Sequence, residues 1–293
     1  MGMKTGLKTY SHLYGQNIFP DDYRIVTERI LYTQGPEYAI KHPVADWYLK
    51  YQALGEILRD DGFDDPARLT YLTYVTQQNE EIIHLERLEL LWADEFAKAQ
   101  KDQTSLHPLV KSLVPLKYVF HTMQLTASYL GKMAPTGKIV TMHLFQAADA
   151  MKGVELVERL QQLFSPKAMT DAYQAWMENE AITPWRRFSE NLLTTYLWSE
   201  CYITLHFAYR PLVQNYIKTI VVPLAEDKNC GSIARALLSL LRDMDRHQQG
   251  ADALRDYIWQ KNSELKPQWC KLIEAKQAEM APILPFVLKY IEG

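Results

Sequence analysis

The chain lacks what several function classes require. It has three cysteines in 293 residues (Cys201, Cys230 and Cys270), widely spaced and with no CxxC pair. That odd, scattered set argues against a disulfide framework and fits reduced thiols in a cytoplasmic protein. No run of about 18 apolar residues occurs, so no membrane span is expected, and the opening MGMKTGLKTYSHL has no apolar signal core. An excess of one charge is missing too: 32 Lys+Arg against 35 Asp+Glu gives a formal net charge of −3. Without a basic block, nucleic acid is not an expected partner. Ser199-Glu200-Cys201 has no G-x-S-x-G context, and there is no Gly-rich phosphate loop.

Aromatic residues, by contrast, are plentiful, with 18 Tyr and 7 Trp in a chain that is 47% hydrophobic. A nearly neutral, aromatic-rich chain suits a large core and extensive protein interfaces, where Tyr and Trp are enriched. Residues 1–65 are punctuated by Gly2, Gly6, Gly15, Pro20, Gly35, Pro36 and Pro43, which break regular structure. An extended N-terminal arm with a short helix or two is expected there. Its aromatics Tyr10, Trp47, Tyr48 and Tyr51 are candidate interface anchors.

Residues 66–293 read as one helical domain. DDPARLTYLTYV carries Asp before Pro, a helix-start signal, and Leu69, Leu72, Val75, Ile82, Leu85 and Leu88 recur at three- and four-residue steps. Pro108 and Pro115 are expected to bracket a break before KYVFHTMQLTASYLGKM. Pro184 is expected to open one long helix through NLLTTYLWSECYITLHFAYRPL, apolar nearly all round and therefore central. No segment sustains strand alternation. The expected fold is all-α, a ferritin-like bundle of long helices.

Bundles that bind two metal ions take Glu from two helices and a Glu-x-x-His step from each of two others. Glu81-Ile82-Ile83-His84 is the one strict match, in the highly charged setting QQNEEIIHLERLEL of a solvated helix. Two further stretches, Asp149-Ala150-Met151-Lys152-Gly153 and Asp243-Met244-Asp245-Arg246-His247, share a frame of Asp, two variable residues, a base and a variable residue.

Segments from KTYSHL (8–13) and DDYRIVTERILY (21–32) through DWYLKY, DDPARLTYLTY, PLKYVFHTMQLTASYLGKMAP, QAADAMK and WSECYITLH to RDMDRH (242–247) carry a family resemblance. The chain resembles the β subunits of the hydroxylase component of bacterial multicomponent di-iron monooxygenases, in the toluene and alkene monooxygenase branch. In that family β resembles a copy of the catalytic α subunit that has lost its metal, and α carries Asp-Glu-x-Arg-His twice. Carried over, the resemblance implies that ligands are lost at Tyr118, Ala150, Gly153 and Met244. It leaves Glu200 and His247 as vestigial positions, expected to form a buried hydrogen-bonded or salt-bridged pair, with Arg246 or Asp243 as candidate partners.

The resemblance implies no catalytic residue and no cofactor in this chain, with the di-iron centre in α. The complex would be (αβγ)2, served by an effector protein, a ferredoxin and an NADH-dependent reductase. It would oxygenate aromatic hydrocarbons or alkenes. Two alternatives stand beside that reading: a stand-alone ferritin-like oxidase using Glu81, His84, Glu200 and His247, and a helical scaffold unrelated to oxygenases.

Overall fold

The computed structural model describes residues 62–101, 105–164 and 168–293, with Tyr23, Thr27, Trp47, Lys50, Tyr51, Leu54, Ile57 and Leu58 of the arm. Tyr10 and Tyr48 lie outside the described residues. The described chain is all-α: α1 (Tyr71–Lys101), α2 (His107–Lys132), α3 (Gly137–Phe164), α4 (Ala168–Glu178), α5 (Thr183–Leu193), α6 (198–227), α7 (Gly231–Lys261), α8 (Leu265–Met280) and α9 (Ile283–Glu292). It has no strand among the described residues.

The first helix starts later than DDP suggests. Ala67 N–H donates to Asp65 Oδ1 at 3.1 Å, making a turn, and Arg68 follows at φ 45°. Thr70 and Thr73 then cap each other reciprocally, Thr73 N–H to Thr70 Oγ1 at 3.2 Å and Thr70 N–H to Thr73 Oγ1 at 2.8 Å. Asp64 instead reaches across to the buried Lys138 ammonium at 2.7 Å, fastening this turn to the start of α3.

Prolines mark fewer breaks than expected. Pro108 lies in the first turn of α2 and Pro115 inside it, with Val114, Pro115 and Leu116 all buried. A helix-interior proline forfeits one hydrogen bond, at about 3 kcal/mol, but packing of both flanking residues holds the helix through it. The segment after Pro184 is two helices, not one. Thr194 and Thr195 turn their hydroxyls back onto the Asn191 carbonyl at 3.1 and 2.8 Å, closing α5 before Trp198 opens α6.

Residues 201–210 of α6 are all buried, as this all-round apolar stretch requires. Two π-helical turns, Leu205–Tyr209 and Ile217–Val221, interrupt it. Asn229, at φ 58°, ends α6, and Cys230 N–H reaches back to the Ala225 carbonyl at 2.8 Å. The Glu95 carboxylate of α1 accepts from Ser232 N–H and Oγ, at 3.0 and 2.6 Å, capping α7.

Helices α2, α3, α6 and α7 surround the core. The α2–α3 pair makes the most extensive contact, while α1 lies over α7 and α3. Their close approach depends on Gly153. A Cβ built there would stand 2.6 Å from the Phe120 ring of α2. Gly153→Ala is therefore expected to destabilise the protein by about 1–3 kcal/mol. In chemical denaturation, Phe120→Leu added to Gly153→Ala should recover part of that loss; equal stability of Gly153→Ala and the unmodified protein would contradict the packing.

Candidate functional site

The two Asp frames do meet at the bundle centre, and they meet crosswise. Asp149 on α3 takes the bases of the α7 frame: His247 Nε2 lies 2.7 Å from Asp149 Oδ2, and the Arg246 guanidinium bonds the same oxygen. Asp243 on α7 takes the base of the α3 frame, Lys152 Nζ, at 2.5 Å, and Arg246 bridges to it at 3.0 Å. Helix α1 closes the network from outside. Tyr74 donates to Asp149 Oδ1 at 2.8 Å with its ring stacked on Phe145 at 4.1 Å, and Gln78 joins Asp243 (3.3 Å) to Lys152 (2.6 Å).

Behind this network runs a second, fully buried chain. One Arg210 nitrogen lies 2.6 Å from His206 Nδ1, His206 Nε2 lies 3.3 Å from His143 Nε2, and His143 Nδ1 lies 2.9 Å from the Ile139 carbonyl. A guanidinium only donates and a carbonyl only accepts, so the protons are fixed. Arg210 donates to His206, His206 Nε2–H donates to His143, and His143 Nδ1–H donates to Ile139. Both imidazoles are neutral. The first π turn carries His206 and leads directly into Arg210; such turns recur at functional sites.

A cavity of about 10 Å3, near the room of one water molecule, sits between the four core helices. Its polar walls are Gln146, Asp149, Arg210, Asp243 and His247, and its apolar walls include Phe120, Ala150 and Met244. Of the positions singled out in the sequence, Ala150, Met244 and His247 thus face the centre. Gly153 is covered by Phe120. Tyr118 points elsewhere, stacked on Trp176 at 4.8 Å.

Glu200 does not join His247. It is half-buried beside Lys276 at 3.3 Å, near the start of α6, where a charge stays partly hydrated. Asp149, not Glu200, is the partner of His247. The oxidase set of the alternative reading is likewise dispersed. Glu81 pairs with Arg242 at 3.0 Å on the surface, and His84 is exposed. Among the described residues, no three His, Cys, Asp or Glu side chains stand together as metal ligands. The residue that sequence reasoning missed is Arg210. Its signal was two polar residues, His206 and Arg210, four apart inside an otherwise apolar stretch. Of the arm aromatics, Trp47 and Tyr51 pack with Tyr196, their ring centroids 4.8 and 5.8 Å from it, and Trp47 remains 38% exposed.

Burial sets the protonation of the site. It drives the His143 pKa from 6.5 down to about 3, and lowers those of His206 and His247, with the nearby Arg210 charge acting in the same sense. Burial alone would raise the Asp149 carboxyl, but the His247 hydrogen bond and the charges of Arg246 and Lys152 outweigh it and hold it low. Unfolded histidines take up protons below about pH 6.5, whereas these three resist until their lower folded values. Their contribution to stability is thus complete above pH 6.5 and lost as the pH falls. Asp149 adds a loss at still lower pH, while Asp65, raised by burial, works in the opposite sense near the carboxylate range. His143 and His206 together should give a slope in the histidine window of about 3 kcal/mol per pH unit, and His247 adds to it in the same sense. Thermal melts from pH 7.5 to pH 5 should show a steady fall; a level or rising profile would contradict neutral buried histidines.

Known proteins share this architecture. A toluene 4-monooxygenase structure with toluene bound in the resting active site superposes with a TM-score of 0.84 at 22% identity, covering 100% of both chains. A xenon-pressurised phenol hydroxylase from Pseudomonas sp. OX1 gives 0.79 at 15% identity, over 99% of this chain and 89% of that one. These likenesses concern the fold. In sequence, the β subunit of the hydroxylase component of the toluene-4-monooxygenase system of Ectopseudomonas mendocina is 27% identical over 270 residues, covering 86% of this chain and 80% of the relative. Residues 47–262 match the Methane/Phenol/Alkene Hydroxylase family, and the chain belongs to that family.

Proposed function

We propose that this chain is the non-catalytic β subunit of a multicomponent di-iron monooxygenase hydroxylase that oxygenates an aromatic hydrocarbon or alkene with O2 and NADH. One observation carries the reading: the bundle centre is closed by the crossed Asp149 and Asp243 ion pairs together with Phe120, Met244 and Arg210. A dinuclear iron centre needs carboxylates and imidazoles whose lone pairs are free to bind metal. Here both carboxylates hold cations, and His247 is tied to Asp149. Met244 offers only a soft thioether. The residues present do not fit such a centre, and no reaction step runs through this chain.

The same reading makes His247 a remnant of a ligand position, with losses at Ala150, Gly153 and Met244 and, on α2, near Tyr118; Glu200, paired with Lys276, lies away from the centre. The iron then belongs to α, and this chain joins α and γ in an (αβγ)2 hydroxylase served by effector, ferredoxin and reductase in the cytoplasm. The relative named as a hydroxylase β subunit supports this assignment. Among the described residues, no helix is long and apolar enough to cross a membrane. Exposed apolar side chains supply material for a permanent interface. On α1, Tyr71, Leu72 and Leu90 are 73%, 74% and 78% exposed. The 1–65 arm would add to it, Trp47 with its exposed edge beside Tyr51, and Tyr48 and Tyr10 along the same segment.

Expression alone and together with the neighbouring reading frames tests the assignment. Iron should be substoichiometric in the isolated chain and present when an iron-bearing α subunit co-purifies. Trp47→Ala with Tyr51→Ala should lower recovery of that complex. A dinuclear complement of iron in the chain by itself would favour the oxidase reading, and undiminished recovery of the double variant would remove the arm from the interface.

A further inference from the structure

Among the described residues, Arg210 is the one buried cation of the centre with no carboxylate bonded to it. The residue is 2% exposed, and its two described hydrogen bonds go to neutral acceptors, His206 Nδ1 at 2.6 Å and Gln146 Oε1 at 2.9 Å. Its Nε–H has no acceptor among the described residues, and neither has the Gln146 amide nitrogen. The Gln146 amide cannot be turned round to cure this, because its oxygen must face the Arg210 donor. Two orphaned buried donors and the guanidinium thus belong to residues that line the same small cavity.

The charges around that cavity do not balance. Asp149 is matched by Arg246, and Asp243 by Lys152. His143, His206 and His247 are neutral. Among the residues that line the cavity and their ion-pair partners, three cations against two carboxylates leave one positive charge, that of Arg210; Asp65, a buried carboxyl that acts on Arg246, does not line the cavity. A buried charge without a counter-ion is costly, and orphaned donors add to the cost. Water would satisfy the donors and leave the charge.

We propose that the central cavity binds a single halide ion, chloride in the cell, held by Arg210 and Gln146. The volume of about 10 Å3 admits one monatomic ion and excludes sulfate, phosphate or a carboxylic acid. The remaining walls suit a large, weakly hydrated anion, since Phe120, Met123, Ala150, Leu240 and Met244 present only carbon, sulfur and hydrogen. Both carboxylates at the wall carry their own cations, so their repulsion is largely cancelled. The site depends on no property of a partner subunit and stands apart from the assignment of the chain as β.

Bromide is the probe. A crystal of the full chain or its complex grown in bromide should give an anomalous peak in the cavity beside Arg210. At constant ionic strength, each tenfold rise in chloride or bromide over gluconate above the dissociation constant should raise Tm by about 3 °C. Arg210→Met removes the charge without opening a large hole and should abolish both effects. If that variant does not fold, the peak and the salt series on the unmodified protein decide. No peak, a peak from binding at crystal concentration only with no stabilisation in solution, or equal Tm in halide and gluconate would each overturn the proposal.

Discussion

The centre of this bundle depends on one carboxylate. Asp149 accepts from Tyr74, Arg246 and His247, so a single side chain on α3 joins α1 and α7 across the core. Such a group is worth little as a bare ion pair, because its desolvation offsets most of the attraction. Its worth lies in being fully satisfied. With every donor in place, the frame of α3 and the frame of α7 lock in one register, and a slip of either helix would strand charges in an apolar interior. The Asp243–Lys152 pair repeats the arrangement in the opposite direction.

That crossed pairing holds the four-helix centre in shape, because opposite charges contributed by α3 and α7 draw the helices together. Phe120 occupies the space that opens when position 153 carries no side chain. Arg210 and the two neutral histidines fill the α6 side. The apolar side chains on the outward face of α1 and the exposed Tyr196 take no part in this network, so the chemistry of the core and the chemistry of the surface divide cleanly.

Much of this was legible in the residues. The periodicity of the long helices, the burial of residues 201–210 within the expected central segment and the pairing of the two Asp frames on distant helices all appear in the fold. The residue facing inward was harder to read. On α2 it is Phe120, two positions after Tyr118, and a two-residue step turns a helix by about 200°. On α6 the counting fails for a different reason. A π turn inserts one residue and rotates everything after it by about 100°, and no local propensity announces two such turns. Arg210, just past the first of them, reads in sequence as an unremarkable base before Pro211, whereas Glu200 precedes both turns and faces Lys276 in ordinary helical phase. The proline breaks were misjudged because burial of the flanking residues, invisible to local signals, decided the matter.

Asp149 is the fixed point on which the core is organised. Equilibrium unfolding of Asp149→Ala against the unmodified protein, in guanidinium chloride at pH 7.5, tests it most directly. Removing the carboxylate leaves the Tyr74 hydroxyl and His247 buried without their acceptor and Arg246 with Asp243 alone, so a loss of about 3–5 kcal/mol is expected. A loss below about 0.5 kcal/mol, the scale of an ordinary surface substitution, would contradict it.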